Sequence, residues 1–141
     1  VAELGLGDIV RFHGQQPIEQ LPAAIRAANV GVAPMRQDVF TDCGLPTKLL
    51  EYVSLGIPAI ASRTATTADY FDESMVLLFE PGNAVDLAAR LLAVYRDPAA
   101  AQARVVQARQ FTARYNWRGE SATYLQAVDG LLAAREHGGK T

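Results

Sequence analysis

Short apolar runs alternate along the chain with stretches of helical period. Asp8–His13 (DIVRFH), Asn29–Pro34 (NVGVAP), Ile57–Ser62 (IPAIAS) and Met75–Phe79 (MVLLF) are too short for helices and rich in branched residues. They predict four β-strands. Between the first two, Pro17 precedes Ile18–Ala28, with Ile18, Leu21, Ala24, Ile25 and Ala28 on one helical face. Pro46 opens a second helix, PTKLLEYVSL, which Gly56 stops. Thr66-Thr67-Ala68-Asp69 reads as a capping box that opens a short helix, Thr67–Phe71. After Pro81-Gly82 the pattern is helical to the end. Val85, Ala88, Leu91, Leu92 and Tyr95 mark one helix, and Asp97-Pro98 ends it and seeds another through about Tyr115. The last helix runs from about Arg118 to about Arg135, with Tyr124, Leu125, Val128, Leu131 and Leu132 on one stripe.

Apolar strands separated by helices imply parallel βαβ units with the sheet buried on both faces. The expected fold is therefore α/β: a doubly wound, Rossmann-like parallel sheet of about four strands, with a helical C-terminus. One domain is expected over 1–136, with 137–141 as a frayed tail. Val1–Leu6 reads as the tail of a helix closed by Gly5 or Gly7, and the chain opens without methionine, so it reads as a piece of something longer.

Composition narrows the function classes. The 141 residues carry 13 Lys plus Arg against 15 Asp plus Glu, a formal charge of −2. That balance, without a basic cluster, argues against nucleic acid as a partner. Half the residues are apolar and a fifth charged, so the bulk of the chain is globular. A single cysteine, Cys43, excludes an internal disulfide and a Cys-rich zinc site. The longest run without Asp, Glu, Lys or Arg is Tyr52–Ser62, far short of the roughly 20 residues of a membrane helix. A cytoplasmic location follows as the expectation, peripheral to a membrane in the full-length protein at most.

Ligands of doubly wound sheets sit beyond the carboxyl ends of the strands, beside helix N-termini. The irregular segment Met35–Leu45 and the helix start at Pro46 form such a place, reading Thr41-Asp42-Cys43-Gly44-Leu45-Pro46-Thr47-Lys48-Leu49-Leu50-Glu51-Tyr52. Gly44 admits a close ligand, and Pro46 fixes the helix start so that free amides face outward. Lys48, taken as the third helical residue, is mildly unfavourable against the helix dipole, by about 0.3–1 kcal/mol, and a bound phosphate reverses that sign. Glu51 lies one turn on, where a carboxylate accepts from two ribose hydroxyls. An exposed i,i+3 pair worth a few tenths of a kcal/mol explains the same spacing equally well.

The stretch GLPTKLLEYVSLGIPAIAS (Gly44–Ser62), followed by FEPGNAVDLAARL (Phe79–Leu91), resembles glycosyltransferase family 4, retaining enzymes of the two-Rossmann GT-B architecture. Around them LGLGDIVRFHG near the start, LPAAIRAANVGVAP next and FTARYNW (Phe111–Trp117) before the last helix stand in the matching order. The resemblance implies an N-terminally truncated C-terminal domain that binds a nucleotide-diphosphate sugar. It implies that Glu51 holds the ribose and that Gly44, Leu45, Pro46 and Thr47 face the diphosphate and donor sugar. It also implies that Gly14 lies beside the nucleobase. The nucleotide-sugar donor is the implied substrate, with no cofactor and no bound metal. An acceptor-binding N-terminal domain is the implied missing partner, so the fragment alone is expected to be inactive.

Two departures from the family pattern stand out. Its E-x7-E spacing places a sugar-contacting Glu eight residues before Glu51, and here that residue is Cys43, with Asp42 beside it as a stand-in. The loop after the third strand usually carries a Gly-Gly pair near the phosphates and here reads Ser62-Arg63-Thr64-Ala65-Thr66-Thr67. Thr66 or Thr67 at a helix cap offers hydroxyl and amide donors to phosphate, or is an ordinary cap. Arg63 is expected to be solvated. His13, Asp69, Asp72 and Glu73 are expected to be structural or surface residues, and Trp117 with Tyr115 to anchor the last helix in the core. Rival functions are another GT-B enzyme such as a nucleotide-sugar epimerase, and a non-catalytic α/β interaction module. The apolar stripe of the last helix is expected to mediate self-association.

Overall fold

The computed structural model describes residues 1–138. Three parallel strands, β1 (Gly31–Ala33), β2 (Ala59–Ser62) and β3 (Leu77–Phe79), form one sheet in that order. Val32 lies opposite Ile60, and Ala61 opposite Leu78. The helices are α1 (Leu21–Arg26), α2 (Val39–Asp42), α3 (Thr47–Leu55), α4 (Ala65–Tyr70), α5 (Ala84–Arg96), α6 (Pro98–Arg114) and α7 (Trp117–Gly138).

Residues alternate between the two faces of the sheet, and helices cover both, as a doubly wound fold requires. On one face Ala33, Ala59, Ala61 and Leu78 meet Leu49 and Val53 of α3, Ala108 of α6, Phe71 and Val76. On the other, Ile60, Leu77 and Phe79 meet Leu87 and Val94 of α5. The small Ala side chains on the first face let α3 approach the sheet closely. Gly31 completes that fit, since a Cβ there would lie 2.4 Å from the Tyr52 ring.

The expected strand Asp8–His13 does not form among the described residues. It runs unpaired, with Ile9 78% and Phe12 83% exposed. The sheet ends at β1, so this segment has no strand to pair with, and the amides of Ile9 and Val10 turn back to donate to the Leu6 carbonyl instead. Val1–Leu6 likewise makes a single 3₁₀ turn, Ala2–Leu4, with Gly5 left-handed at φ 63°. The helix expected over Ile18–Ala28 shortens to α1. Pro22 sits in its first turn, and proline belongs at a helix start, so the residues before it form only a turn.

Helix starts also differ from the expected ones. Pro46 is the cap of α3, which makes Lys48 the second helical residue, and Gly56 ends the helix in the left-handed region at φ 75°. The cap of α4 is Thr64, whose hydroxyl accepts from the Thr67 amide, so neither Thr66 nor Thr67 holds that place. In α5, Asn83 accepts from the amides of Val85 and Asp86, and Leu87 and Val94 face the sheet. The expected stripe Val85, Ala88, Leu91, Leu92 and Tyr95 is thus exposed throughout, and the inward residues are others. Val85 is exposed, while Leu91 and Tyr95 line an open apolar cavity of about 710 Å³ with Val30, Ile57 and Pro58 at the amino end of the sheet.

Trp117 does not reach the core. It is 71% exposed and lies against Tyr124, with ring centroids 6.0 Å apart. Tyr115 instead joins Tyr70, Phe111 and Phe71 in an aromatic cluster that closes the carboxyl side of α6. Helix α7 continues to Gly138, and residues 139–141 of the expected tail lie outside the described residues.

Candidate functional site

The carboxyl ends of all three strands open on the same side, where the β1–α3 loop, the β2–α4 turn and the start of α5 meet. Pro34 follows β1 and has no amide hydrogen to continue the parallel ladder. The hydroxyl of Ser62, the fully buried last residue of β2, takes over the pairing. It accepts from the Met35 amide at 2.8 Å and donates to the Met35 carbonyl at 2.9 Å. The chain then turns through α2, capped by Asp38. That carboxylate accepts from the amides of Phe40 and Thr41 while the Thr41 hydroxyl accepts from the Asp38 amide. These backbone bonds, that from Thr41 above all, hold the Asp38 carboxyl below its ordinary value near 3.8.

Residues 43–51 follow directly. Pro46 is buried, and Leu49 and Val53 anchor α3 in the core. Their spacing turns Thr47, Lys48 and Glu51 outward, all exposed. Among the described residues the ion pairs are Arg63–Glu73, Arg90–Glu73 and Arg90–Asp86, so Lys48 and Glu51 do not pair with each other. No side chain caps α3, and the amides of Thr47 and Lys48 make no hydrogen bond to the described residues, the first bonds to the Pro46 carbonyl coming from Leu49 and Leu50. One cation and two free amides therefore share an exposed first turn on the positive end of a helix dipole, with one exposed carboxylate a turn further on. Burial, with a contribution from the Glu51 charge, raises the pKa of the neighbouring Tyr52 phenol.

The remaining expected residues fall in different places. Cys43 is exposed and ends α2. With Leu45, Leu50, Thr66, Tyr70, Phe111 and Tyr115 it lines an open cavity of about 340 Å³ against the aromatic cluster. Gly44 is not left-handed, and the nearest atom to a Cβ there is the Phe40 carbonyl oxygen at 3.7 Å, so the fold alone does not demand glycine. Thr66 is half-buried, and its hydroxyl donates to the Asp42 carbonyl, while the Asp42 carboxylate accepts from the Ala65 amide at 3.4 Å. Asp42 is thus engaged on α4. Gly14, left-handed at φ 65°, stands in the exposed N-terminal stretch, and no hydrogen bond joins it to the α3 loop.

Arg63 is exposed, as expected of a surface cation, and is also held in an ion pair. It meets Glu73 at 2.5 Å, and Glu73 also faces Arg90 at 3.6 Å. Asp72 accepts from Ser74, which lowers its pKa. Among the described residues no group of three His, Cys, Asp or Glu side chains converges as a metal site would need. No described helix is long and apolar enough to cross a membrane. Sequence reading missed Ser62 and Asp38. The only advance signal for Ser62 was a proline at the end of the neighbouring strand, and for Asp38 a Thr three residues on.

Residues 1–97 match the family model of glycosyl transferases group 1. The chain belongs to this glycosyltransferase family. Sucrose-phosphate synthase from Thermosynechococcus elongatus is similar in structure with a TM-score of 0.76 and 29% identity, the match covering 94% of this chain and 33% of that one. Anabaena HepE, solved in complex with UDP, superposes with a TM-score of 0.62 at 21% identity, covering 94% and 34% respectively, and at that identity speaks for the fold alone. The glycosyltransferase chain described here spans about a third of each. Among curated proteins, no sequence matches it. The fold is that of the C-terminal, Rossmann-like part of the GT-B architecture.

Proposed function

We propose that this chain is the donor-binding domain of a retaining glycosyltransferase of family 4, holding a nucleotide-diphosphate sugar at the start of α3. The observation that carries the reading is the unpaired Lys48 and Glu51 beside the free amides of Thr47 and Lys48. Glu51 accepts from the ribose hydroxyls. Lys48 and the two amides face the diphosphate, and Gly44, Leu45 and Pro46 shape the loop over the donor sugar. Gly14 lies toward the base. As the nucleoside diphosphate departs, Lys48 and the helix dipole neutralise the charge that grows on its phosphate, worth several kcal/mol where water is excluded. The acceptor attacks from the face the leaving group vacates. The reading assigns no metal and no general base.

A facing domain that binds the acceptor completes the cleft, so the 141 residues bind donor without transferring sugar. HepE was solved with UDP, which makes a nucleoside diphosphate the first ligand to test. The test is an amide-resolved NMR titration with UDP, GDP and ADP into the millimolar range, repeated with Glu51→Ala and Lys48→Ala. Shifts confined to Gly44–Glu51 and the surroundings of Gly14, weakened about tenfold or more by either variant, are expected, since charge-assisted hydrogen bonds contribute roughly 1.5–3 kcal/mol each. Saturable shifts that persist unchanged in both variants would place the ligand elsewhere and sink the assignment.

A further inference from the structure

We propose that Thr66 is a positioning residue for this site and not a phosphate ligand, acting through Asp42 to hold the β1–α3 loop in its binding shape. The inference rests on the donor-binding reading above. The loop between β1 and α3 is irregular and exposed along most of its length, and two contacts from the next βα unit hold it in place. At its root, Ser62 grips both backbone groups of Met35. At its far end, the Thr66 hydroxyl donates to the Asp42 carbonyl, and the Ala65 amide donates to the Asp42 carboxylate at 3.4 Å. The Asp38–Thr41 box stiffens the turn between them.

Asp42 immediately precedes Cys43-Gly44-Leu45-Pro46, so fixing it fixes the approach to the free amides of Thr47 and Lys48. A hydroxyl has one proton, and that of Thr66 goes to a carbonyl. It is therefore not available to a phosphate while the loop is closed. The Ala65 amide, one of the unsatisfied donors of the short helix α4, is covered by the Asp42 carboxylate in the same contact. The two loops on either side of the strand ends are thereby tied together, Asp42 of one to Ala65 and Thr66 of the other.

The experiment compares the wild-type chain with Thr66→Val, Thr66→Ser and Glu51→Ala. It follows hydrogen exchange at the Asp42, Cys43 and Gly44 amides without ligand, and then titrates each protein with UDP, GDP and ADP. Thr66→Val is expected to speed exchange at those three amides and to weaken nucleotide binding roughly two- to tenfold, the range of one neutral hydrogen bond. Thr66→Ser, which keeps the hydroxyl, restores both. The proposal is overturned if Thr66→Val leaves exchange and binding as in the wild type. It is equally overturned if binding weakens with exchange unchanged, because Thr66 then touches the ligand directly. It also fails if Thr66→Ser does not rescue. Absence of binding to the wild type, or binding indifferent to Glu51→Ala, overturns the donor-binding reading instead and removes the positioning role with it, whatever the exchange data show.

Discussion

Gly31 and Gly44 differ in what they ask of the chain. A Cβ at Gly31 would overlap the Tyr52 ring at 2.4 Å, with β1 on one side and α3 on the other. Gly31→Ala is therefore expected to cost about 1–3 kcal/mol, the range of overpacking, in urea or thermal unfolding. Gly44 has no such neighbour, and Gly44→Ala is expected to leave stability within about 0.5 kcal/mol while weakening nucleotide binding. A drop in stability equal to that of Gly31→Ala would show that the fold, and not a ligand, needs that glycine. Asp38 sets the behaviour of the loop in acid. Its pKa is depressed in the folded chain, so its stabilisation is fully present above the unfolded value near 3.8 and is lost as pH falls through the lower folded value. Exchange at the Phe40 and Thr41 amides is expected to rise below about pH 4, beyond the intrinsic pH dependence of exchange, and Asp38→Asn is expected to abolish that step. Lys48 and Glu51 were readable in the sequence because both lie within two turns of a proline that starts a helix. The engagement of Thr66 was not, since its partner Asp42 is 24 residues away in the chain.

At the scale of elements, α3 ties the site to the core. Leu49, next in sequence to Lys48, is fully buried in the hydrophobic cluster, so Leu49→Ala is expected to lower stability by about 2–5 kcal/mol, read from the denaturant midpoint. Because the same residue orients the first turn, nucleotide affinity is expected to fall with it. Strong local signals located most elements: β2 is apolar up to its closing Ser62, Asp97-Pro98 both closes α5 and opens α6, and Gly56 stops α3. Local signals also misled where pairing decides. Asp8–His13 has the composition of a strand, and only a neighbouring strand would make it one. The phase of α5 was shifted because its residues serve two surfaces, Leu87 and Val94 on the sheet and Leu91 and Tyr95 on a cavity, and an apolar stripe does not say which surface is the core. The start of α4 moved by two residues, from Thr67 to Ala65, because the capping bond of Thr64 depends on side-chain geometry, which spacing alone does not determine.

For the molecule as a whole, stability is unevenly distributed. The sheet, α3 and α6 share one buried cluster, whereas α7 presents Tyr124, Leu125, Leu131 and Leu132 to solvent. Amides of α7 are expected to exchange with far lower protection than those of α3 and β2, because local openings there cost little buried area. Such a contiguous apolar stripe is also expected to draw two copies together, and sedimentation equilibrium should show a weight-average mass that climbs with concentration. A mass that stays monomeric at the highest concentration would mean that α7 has no affinity for its own kind.

Cys43 gives these experiments a practical advantage. It is the chain's single thiol, it is exposed, and it sits between the end of α2 and the first turn of α3. A maleimide dye attaches there and nowhere else on the chain, without any engineered mutation. The protein thus comes equipped with its own reporter, whose emission should track both the opening of the loop and the arrival of a nucleotide.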